Sequence, residues 1–498
     1  MSTIRSRLAA VCCGLVLAVM GSPAHGLERL VLRFPFLETS ITLNLAESST
    51  ADELIRSSPD LADLLAASDG RLLELLRKVF QAPLPVETKQ FLQGSTGQPL
   101  LEQALMAATD LVDLQGVEAD TTGHMLTDAL IRAEANQQPT ILGFLRELPG
   151  EEASIQLGRV IDAANRLKAN QDKGVALAKA GPAAAVTVGL QPQRKPVWTR
   201  QKLTVAVSHR PQALPVLTLV PTGNANGRLV VISHGLWDDP ESFEGWGEFL
   251  ATHGYTVLMP DHPGSNSAQQ KAMLAGDRRP PGAEELRLRP LDVSALLDAV
   301  ASGRLLSGRG LNTQSVAVVG HSWGGTTAVQ LVGAVPTVRK LSSRCADLRD
   351  QERNISWILQ CSWLNGIAQA GVADSRVKAA VAVSPPLRLL FEPSSSKNLS
   401  SKVLLVSGTR DWVVPSGPEA ITPMQESGAT KKGHRLVLAE GMDHFNLRSF
   451  QGDDRPAVVG PLVLAWINEQ LGVNETLMFS SGGWGDSTVN LVDVSDRL

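Results

Sequence analysis

One stretch constrains the fold of this 498-residue chain more than any other, namely residues 315–325, Ser-Val-Ala-Val-Val-Gly-His-Ser-Trp-Gly-Gly. Its first residues are apolar and mostly β-branched, and the run is too short for a helix, which predicts a buried strand. Residues 326–335 have helical character, so Ser322 lies at a tight turn from strand to helix. Gly320 and Gly324 provide the small residues that such a turn needs. The G-x-S-x-G pattern therefore predicts a nucleophile elbow that presents the Ser322 hydroxyl.

The segment around this turn alternates strand-like and helical runs. Strand-like runs lie at residues 203–208, 216–220, 229–233, 256–259, 315–319, 377–383, 403–407 and 435–438, and helical runs at 243–252, 291–301 and 458–471. Such alternation predicts an α/β fold with a mostly parallel sheet covered by helices on both faces. In sheets of this kind the functional site lies at the carboxyl ends of the strands.

Changes in composition divide the rest of the chain. Residues 200–473 are predicted to form the α/β domain. A mainly helical domain is predicted at 27–170, opening with a hairpin of residues 30–34 and 40–44, with a linker rich in Ala, Gly, Pro, Gln and Lys at 171–199 and a polar tail at 474–498. The helical region has no metal-ligand spacing and no phosphate loop, so the sequence does not indicate its function.

The N-terminus has the pattern of a secretory signal peptide over residues 1–26. Arg5 and Arg7 precede an apolar run at 8–20, and small residues up to Gly26 suit cleavage. The run is too short to span a bilayer, although an uncleaved membrane anchor is the alternative. The sequence therefore predicts an exported protein, periplasmic or secreted. With 46 basic and 50 acidic side chains and no basic stripe, a nucleic-acid partner is not expected.

Export also changes how the cysteines are interpreted. Only Cys345 and Cys361 remain after residues 1–26 are removed, and an oxidising compartment favours a disulfide between them. Both lie in residues 336–374, a connection of about forty residues where helix-to-strand connections usually take about 2–6. We expect a disulfide-pinned lid over the site; the alternative is a plain surface insertion.

A serine nucleophile needs a histidine base and an acid that orients the base. Asp411 follows the strand-like run 403–407, and His444 follows the run 435–438. The chain order Ser, Asp, His is the one that this architecture requires. The predicted catalytic residues are therefore Ser322, Asp411 and His444.

Three other residues are weaker candidates. Asp443 adjoins His444 in sequence and is poorly placed to bond its ring. His434 precedes its strand and so lies at the wrong end of the sheet. His321 flanks the nucleophile, where a packing role is usual.

Two backbone amides are predicted to stabilise the oxyanion. Trp323 supplies one at the start of the helix after the elbow, and Leu236 supplies the other in the loop after the run 229–233. The side chain of His234 is expected to stabilise that loop. Trp237 and Trp412 are candidates for lining the acyl pocket, although each could equally be a core residue. This chemistry needs no metal and no cofactor, and none is predicted.

Residues 200–473 resemble an α/β-hydrolase, and more narrowly the dienelactone-hydrolase and platelet-activating-factor-acetylhydrolase-like group. The motifs that carry the resemblance are residues 234–236 (His-Gly-Leu), 250–255, 260–265 (Pro-Asp-His-Pro-Gly-Ser), 289–293 (Arg-Pro-Leu-Asp-Val) and the elbow. The segment that begins at Leu27 resembles the domain of unknown function that precedes such hydrolases in cyanobacterial-type proteins. This second resemblance depends chiefly on residues 30–44.

The resemblance implies hydrolysis of a carboxylic ester by an acyl-enzyme route without a cofactor. The sequence departs from the group at two places. Dienelactone hydrolases use a cysteine where Ser322 stands, so lactone opening is not implied. In the acetylhydrolases the acid follows the sixth strand, but residues 381–386 contain no aspartate, which returns the role to Asp411.

We therefore expect an exported two-domain serine esterase that acts on a small-molecule or lipid ester. A lipase or phospholipase acting at a membrane surface is the first alternative, because the insertion at 336–374 is apolar. An idle hydrolase fold that serves as a binding or scaffold protein is the second. The sequence identifies neither the ester nor the oligomeric state.

Overall fold

A computed structural model of the chain describes residues 26–33, 40–67, 70–83, 94–115, 117, 122–191, 198–450 and 457–498. These residues form two compact units, the first within 1–97 and 105–161 and the second within 98–104 and 162–498. Residues 1–25 of the predicted signal peptide and 192–197 of the predicted linker lie outside the described residues. Among the helices that are described, none is both long and apolar enough to cross a bilayer.

The first unit combines helices with a four-stranded sheet. Its strands are β1 (Arg29–Arg33), β2 (Ser40–Asn44), β3 (Val112–Gln115) and β4 (Glu152–Gln156), in the order β2-β1-β4-β3. Strands β1 and β2 pair antiparallel with Arg29 opposite Asn44, which confirms the predicted hairpin. The sequence did not predict β3 or β4. Helices α1 to α7 are Ala51–Arg56, Ala62–Ala67, Arg71–Gln81, Pro99–Thr109, His124–Ala135, Ile141–Glu147 and Leu157–Lys179, with α4 and α7 each reaching into the residue range of the second unit.

The segment predicted as a linker differs from that prediction in the structure. Helix α7 continues to Lys179, because Ala, Leu, Lys and Gln are good helix formers, and it stops before Gly181 and Pro182. Further on, Val186 forms a bridge with Trp484, and Leu190 is fully buried. Most of the described part of this segment is therefore built into the second unit. The domain boundaries themselves stay predictions.

The second unit is built on a nine-stranded sheet in the order β13-β12-β11-β10-β9-β7-β8-β6-β5. The strands are β5 (Trp198–Val205), β6 (Leu214–Pro221), β7 (Arg228–Ser233), β8 (Thr256–Pro260), β9 (Asn312–His321), β10 (Val377–Val383), β11 (Lys402–Gly408), β12 (Arg435–Ala439) and β13 (Leu491–Asp493). The pairings from β8 through β7, β9, β10 and β11 to β12 are parallel, and the outer pairings are antiparallel. The predicted, mostly parallel α/β sheet is confirmed.

Helices cover both faces of this sheet. Along β7, Val230 and Ile232 join one buried apolar cluster, whereas Leu229 and Val231 join another, as the alternation of side chains along a strand requires. The helices are α8 (Glu244–Thr252), α9 (Ser267–Leu274), α10 (Glu285–Ala301), α11 (Trp323–Leu331), α12 (Arg339–Arg344), α13 (Ser356–Ser362), α14 (Thr422–Ser427) and α15 (Gly460–Leu471). The parallel strands therefore end at one edge, where the loops after β7, β9, β11 and β12 gather.

The C-terminal residues also differ from their prediction as a polar tail. Strand β13 pairs antiparallel with β12, and Leu491 and Val492 are buried. Phe479 and Trp484 stack with ring centroids 5.0 Å apart. A three-residue strand is too short to show periodicity in a sequence, and its burial comes from the edge of a sheet formed by distant residues.

Candidate active site

Ser322 stands between β9 and α11 with φ of 52° and ψ of −122°. A non-glycine residue in so sparsely populated a conformation costs about 1–3 kcal/mol, which the surrounding structure must offset. Neighbouring glycines make the turn sterically feasible. A Cβ atom on Gly320 would lie 2.0 Å from the carbonyl oxygen of Gly324, and one on Gly324 would lie 1.9 Å from that of Ser233. The predicted strand, turn and helix are present.

Asp411 and His444 form a buried hydrogen-bonded pair. Asp411 follows β11, and its Oδ1 accepts the N–H groups of Val413 at 2.9 Å and Val414 at 2.7 Å. Its Oδ2 lies 2.9 Å from Nδ1 of His444, which follows β12. Since a carboxylate can only accept, Nδ1 carries the proton and Nε2 is left unprotonated in the neutral ring. The pair therefore has the orientation that a general base needs.

The weaker candidates have other partners. Oδ1 of Asp443 accepts the N–H groups of Phe445 and Asn446, so this aspartate stabilises its own turn. His434 lies at the opposite end of β12, where Nδ1 accepts the N–H of Val403 at 3.0 Å. Neither residue competes with Asp411 or His444 at the carboxyl end of the sheet.

His321 directly precedes Ser322 in the sequence and forms a hydrogen bond with His444. Its Nε2 donates to the carbonyl oxygen of His444 at 2.8 Å, and the two ring centroids are 4.6 Å apart. Burial, and then the proximity of His444, hold the pKa of His321 well below its ordinary value, so the ring is neutral. Within the described residues, no hydrogen bond joins Ser322 Oγ directly to the ring of His444. The sequence suggested only packing for His321, but the structure also gives it a hydrogen bond that fixes the backbone of His444.

The loop after β7 lies against the elbow. A Cβ atom on Gly235 would come within 3.3 Å of the Cβ of Ser322. The N–H of Trp237 donates to the carbonyl of Ser265 at 2.7 Å. By contrast, the N–H groups of Leu236 and Trp323 have no hydrogen-bond partner in the described part of the chain. These are the two amides predicted to stabilise an oxyanion.

His234 has the structural role expected of it. Its Nδ1 donates to the carbonyl of Gly235 at 2.7 Å, and its Nε2 accepts the N–H of His262 at 3.0 Å. Burial and the nearby charge of Arg289 hold the pKa of His234 well below its ordinary value. A neutral ring can donate at one nitrogen and accept at the other, which fixes the loop that carries Leu236.

Residues 228–373 match the family described as alpha/beta hydrolase fold. This part of the chain belongs to the α/β-hydrolase superfamily. Residues 27–156 of the hydrolase match a second family, described as alpha/beta hydrolase of unknown function. No curated protein gives a significant match to the chain. The first match includes Ser322 but ends before Asp411 and His444, and neither match tests the narrower resemblance to the dienelactone-hydrolase and acetylhydrolase-like group.

Arg289 of the hydrolase is a residue to which the sequence gave no role. Its side chain is fully buried on α10, and Nη2 donates to the carbonyl oxygen of His234. The guanidinium carbon lies 4.9 Å from the ring centroid of Trp323. Burial lowers the pKa of Arg289 to about 9, so the side chain is still charged at neutral pH. One buried cation thus contacts residues on both sides of the predicted oxyanion site.

Asp292, one turn further along α10, is the centre of a buried polar cluster. It accepts from His209 Nε2 at 2.7 Å, from His262 Nδ1 at 2.7 Å, and from Arg210 through both Nε and Nη2. His262 Nε2 in turn lies 2.9 Å from the hydroxyl of Ser233 at the end of β7. The motifs at 260–265 and 289–293 therefore meet behind the loop after β7, and their contacts hold that loop in place.

The insertion at 336–374 contains the expected disulfide between Cys345 and Cys361. It also supplies apolar residues to a buried cluster beside the elbow. The ring of Trp363 lies 4.8 Å from that of Trp323, and both are fully buried, as is Trp357. Both tryptophans of the insertion are therefore packed inside the hydrolase, whereas Leu364 is exposed.

Glu419 anchors this insertion. Its Oε1 accepts from side chains of the insertion, and its Oε2 accepts two backbone N–H groups of the loop after β10; the donors are Asn354, Ser356, Trp357 and Gln360, then Leu387 and Arg388. The carboxylate is almost completely buried. It therefore joins three segments that are distant in sequence. In the described residues, no group of three or more His, Cys, Asp or Glu side chains is arranged to hold a metal ion.

Proposed function

We propose that the hydrolase cleaves carboxylic esters through an acyl-enzyme intermediate, with Ser322 as nucleophile, His444 as general base and acid, and Asp411 as the residue that orients His444. One observation carries the proposal. A serine at positive φ on a strand-to-helix turn occurs together with a buried Asp411–His444 hydrogen bond at the same edge of the sheet.

The proposed reaction has two halves. Ser322 Oγ attacks the ester carbonyl carbon while its proton passes to Nε2 of His444. The tetrahedral intermediate then collapses, the bond to the alcohol oxygen breaks, and His444 returns the proton to the leaving alcohol. Water repeats the sequence on the acyl-enzyme and releases the carboxylic acid. Throughout, Asp411 stabilises the imidazolium that forms.

The amides of Leu236 and Trp323 would hold the oxyanion of both tetrahedral intermediates. Their lack of other partners supports this role, as does the position of Trp323 at the first turn of α11, where the helix dipole favours negative charge. Losing one donor of this kind typically raises the barrier by about 3–4 kcal/mol.

The packing of the insertion supports a soluble ester rather than a lipid at a membrane surface. A lid that opened there would have to expose Trp357 and Trp363, both fully buried, and to break the hydrogen bonds of Glu419. Burying a carboxylate with six donors makes such a movement costly. An idle scaffold fold is also less well supported, because the buried Asp411–His444 pair and the unpartnered amides of Leu236 and Trp323 would then have no use.

The decisive experiment is labelling with a fluorophosphonate probe, which reacts only with an activated serine. We expect stoichiometric labelling that mass spectrometry locates at Ser322, and loss of both labelling and esterase activity in Ser322→Ala. Ser384→Ala is the matched control, because Ser384 is also buried at a strand end with positive φ. Unchanged ester turnover in a folded Ser322→Ala protein would refute the proposal.

A further inference from the structure

Exposed aromatic side chains gather at one place on the described surface. Only Trp412, Phe445 and Phe450 are both aromatic and largely exposed there, at 42%, 43% and 43%. The rings of Trp412 and Phe445 have centroids 5.9 Å apart, and the guanidinium of Arg448 lies 5.1 Å from Phe445 and 5.2 Å from Phe450. Surface aromatics scattered singly need no explanation, but such a cluster does.

This cluster borders the proposed catalytic pair. Trp412 directly follows Asp411, and Phe445 directly follows His444, whose ring meets that of Phe445 edge to face at 5.4 Å. Both rings are attached to backbone that is already fixed. Asp411 binds the two amides after Trp412, and Asp443 binds the amide of Phe445. A ligand that contacts these rings therefore finds a preorganised surface.

The geometry of proton transfer identifies the part of the ester that would lie here. Nδ1 of His444 is bonded to Asp411, so Nε2 must return the proton to the leaving alcohol. The alcohol oxygen must therefore come within hydrogen-bond distance of this ring, and its substituent extends over the residues that flank it. The carbonyl oxygen would face the amides of Leu236 and Trp323, and the acyl half would extend from the carbonyl carbon away from the alcohol.

The charge of this surface further limits the chemical class of ligand that it would bind. Nη1 of Arg448 forms an ion pair with Asp238 at 2.8 Å, so its charge is already balanced. The guanidinium contributes a flat face rather than a free cation for an anionic group. Trp412 and Phe445 offer large, rigid apolar rings, which favour a flat uncharged partner.

We propose that Trp412, for which the sequence suggested the acyl pocket, instead forms with Phe445 a leaving-group subsite that binds an aryl or arylmethyl alcohol moiety. This inference rests on the proposed esterase function, and it adds a substrate class to it. At the exposed side of the site, the enzyme would then discriminate between esters by their alcohol half rather than by their acyl half.

The test compares benzyl acetate with propyl acetate, which share an acyl group and have primary alcohols. We expect kcat/KM at least tenfold higher for benzyl acetate. Trp412→Ala and Phe445→Ala should each reduce the ratio of the two kcat/KM values about fivefold, as expected for loss of one aromatic contact. Phe450→Ala is the matched control, because Phe450 is equally exposed but contacts Arg448 rather than His444; it should keep the preference.

Equal kcat/KM for the two esters, or a preference that survives both substitutions, would overturn the inference while leaving the esterase proposal intact. Activity on phosphatidylcholine vesicles that depends on Trp412 and Phe445 would assign the cluster to a lipid surface instead. Ligand-observed NMR can measure the binding of benzyl alcohol to Ser322→Ala. This measurement tests the subsite separately from the esterase proposal, because binding requires no turnover. Binding should weaken in the Trp412→Ala and Phe445→Ala backgrounds, and unaltered binding would also overturn the subsite.

Discussion

Arg289 keeps a positive charge in a place where, among the described residues, no carboxylate forms an ion pair with it. Its Nε and Nη1 are buried without a hydrogen-bond partner in the same part of the chain. Burying a charge in this way opposes folding, so the residue needs a compensating reason to be there. Its two contacts supply one, since it binds the carbonyl of His234 and lies over the ring of Trp323. We interpret Arg289 as a positioning residue for the two proposed oxyanion amides.

Replacing Arg289 with methionine should therefore lower activity without weakening the fold. We expect kcat to fall by about 10- to 100-fold, equivalent to about 1.4–2.8 kcal/mol of barrier, while KM changes little, because the oxyanion forms only after the substrate is bound. The denaturant midpoint should not fall, since a buried and incompletely paired charge has been removed. Steady-state kinetics and unfolding curves check the two halves of this prediction.

Arg289→Lys is the matched control, because it keeps the charge over Trp323 and should recover part of the lost kcat. A purely structural arginine would behave differently. In that case the methionine variant would lose stability and keep its kcat, and this outcome would contradict the positioning role.

At the scale of elements, the insertion at 336–374 is held by a single carboxylate as much as by its disulfide. All six hydrogen bonds of Glu419 come from uncharged donors on two separate segments. The indole N–H of Trp357 and the backbone N–H groups of Leu387 and Arg388 would lose their partner if the carboxylate were removed, and a buried unpaired donor costs about 1–3 kcal/mol. The insertion should therefore behave as a fixed wall.

Glu419→Gln tests this directly. The carboxylate oxygen that the amide NH₂ group replaces accepts at least two hydrogen bonds, and the NH₂ group would instead face those donors. We therefore expect the free energy of unfolding to fall by at least about 2 kcal/mol, with a clear fall in Tm. Glu426→Gln is the control, because Glu426 also accepts from a buried partner, Arg388, but is partly exposed. Its loss should stay under about 1 kcal/mol. Equal effects of the two substitutions would contradict the anchoring role.

How far the sequence predicts these elements depends on the range of the interactions involved. The strands around Ser322, Asp411 and His444 have local periodicity, and the elbow has local steric requirements, so both could be read in order along the chain. The roles of Arg289 and Glu419 could not, because their partners are distant in sequence and only the packed sheet brings them together. Strand β13 was missed for a related reason, since its burial depends on an edge that β12 provides.

At the scale of the whole molecule, the tryptophans report on one unit only. All nine occur from residue 198 onward, within the second unit. Tryptophan fluorescence therefore follows unfolding of the second unit. This allows a test of how buried histidines set the pH dependence of stability.

Several histidines of this unit are buried in neutral form. Burial, and then Lys402 and Lys432, lower the pKa of His434 to about 4 from an ordinary value of 6.5. Burial and Arg289 lower that of His262 to about 3. Between these values and pH 6.5 the unfolded chain binds protons that the folded chain does not. Stability contributed by these groups is therefore complete above about pH 6.5 and declines as the pH falls. Asp292, whose pKa is lowered, adds an acid-side loss only below its ordinary value of 3.8.

His434→Asn should reduce this pH dependence by the share of one proton. The residue lies at the far end of β12 from His444, and an asparagine oxygen can still accept the N–H of Val403 without ever becoming charged. In urea titrations followed by tryptophan fluorescence, we expect the wild-type free energy of unfolding to fall between pH 7 and pH 5. At the acid end of that range its slope should be steeper than that of the variant by about 1.4 kcal/mol per pH unit. His124→Asn, in the unit without tryptophan, should leave the slope unchanged. Parallel curves for wild type and His434→Asn would mean that His434 is protonated equally in the folded and unfolded chains, which would contradict its burial in neutral form.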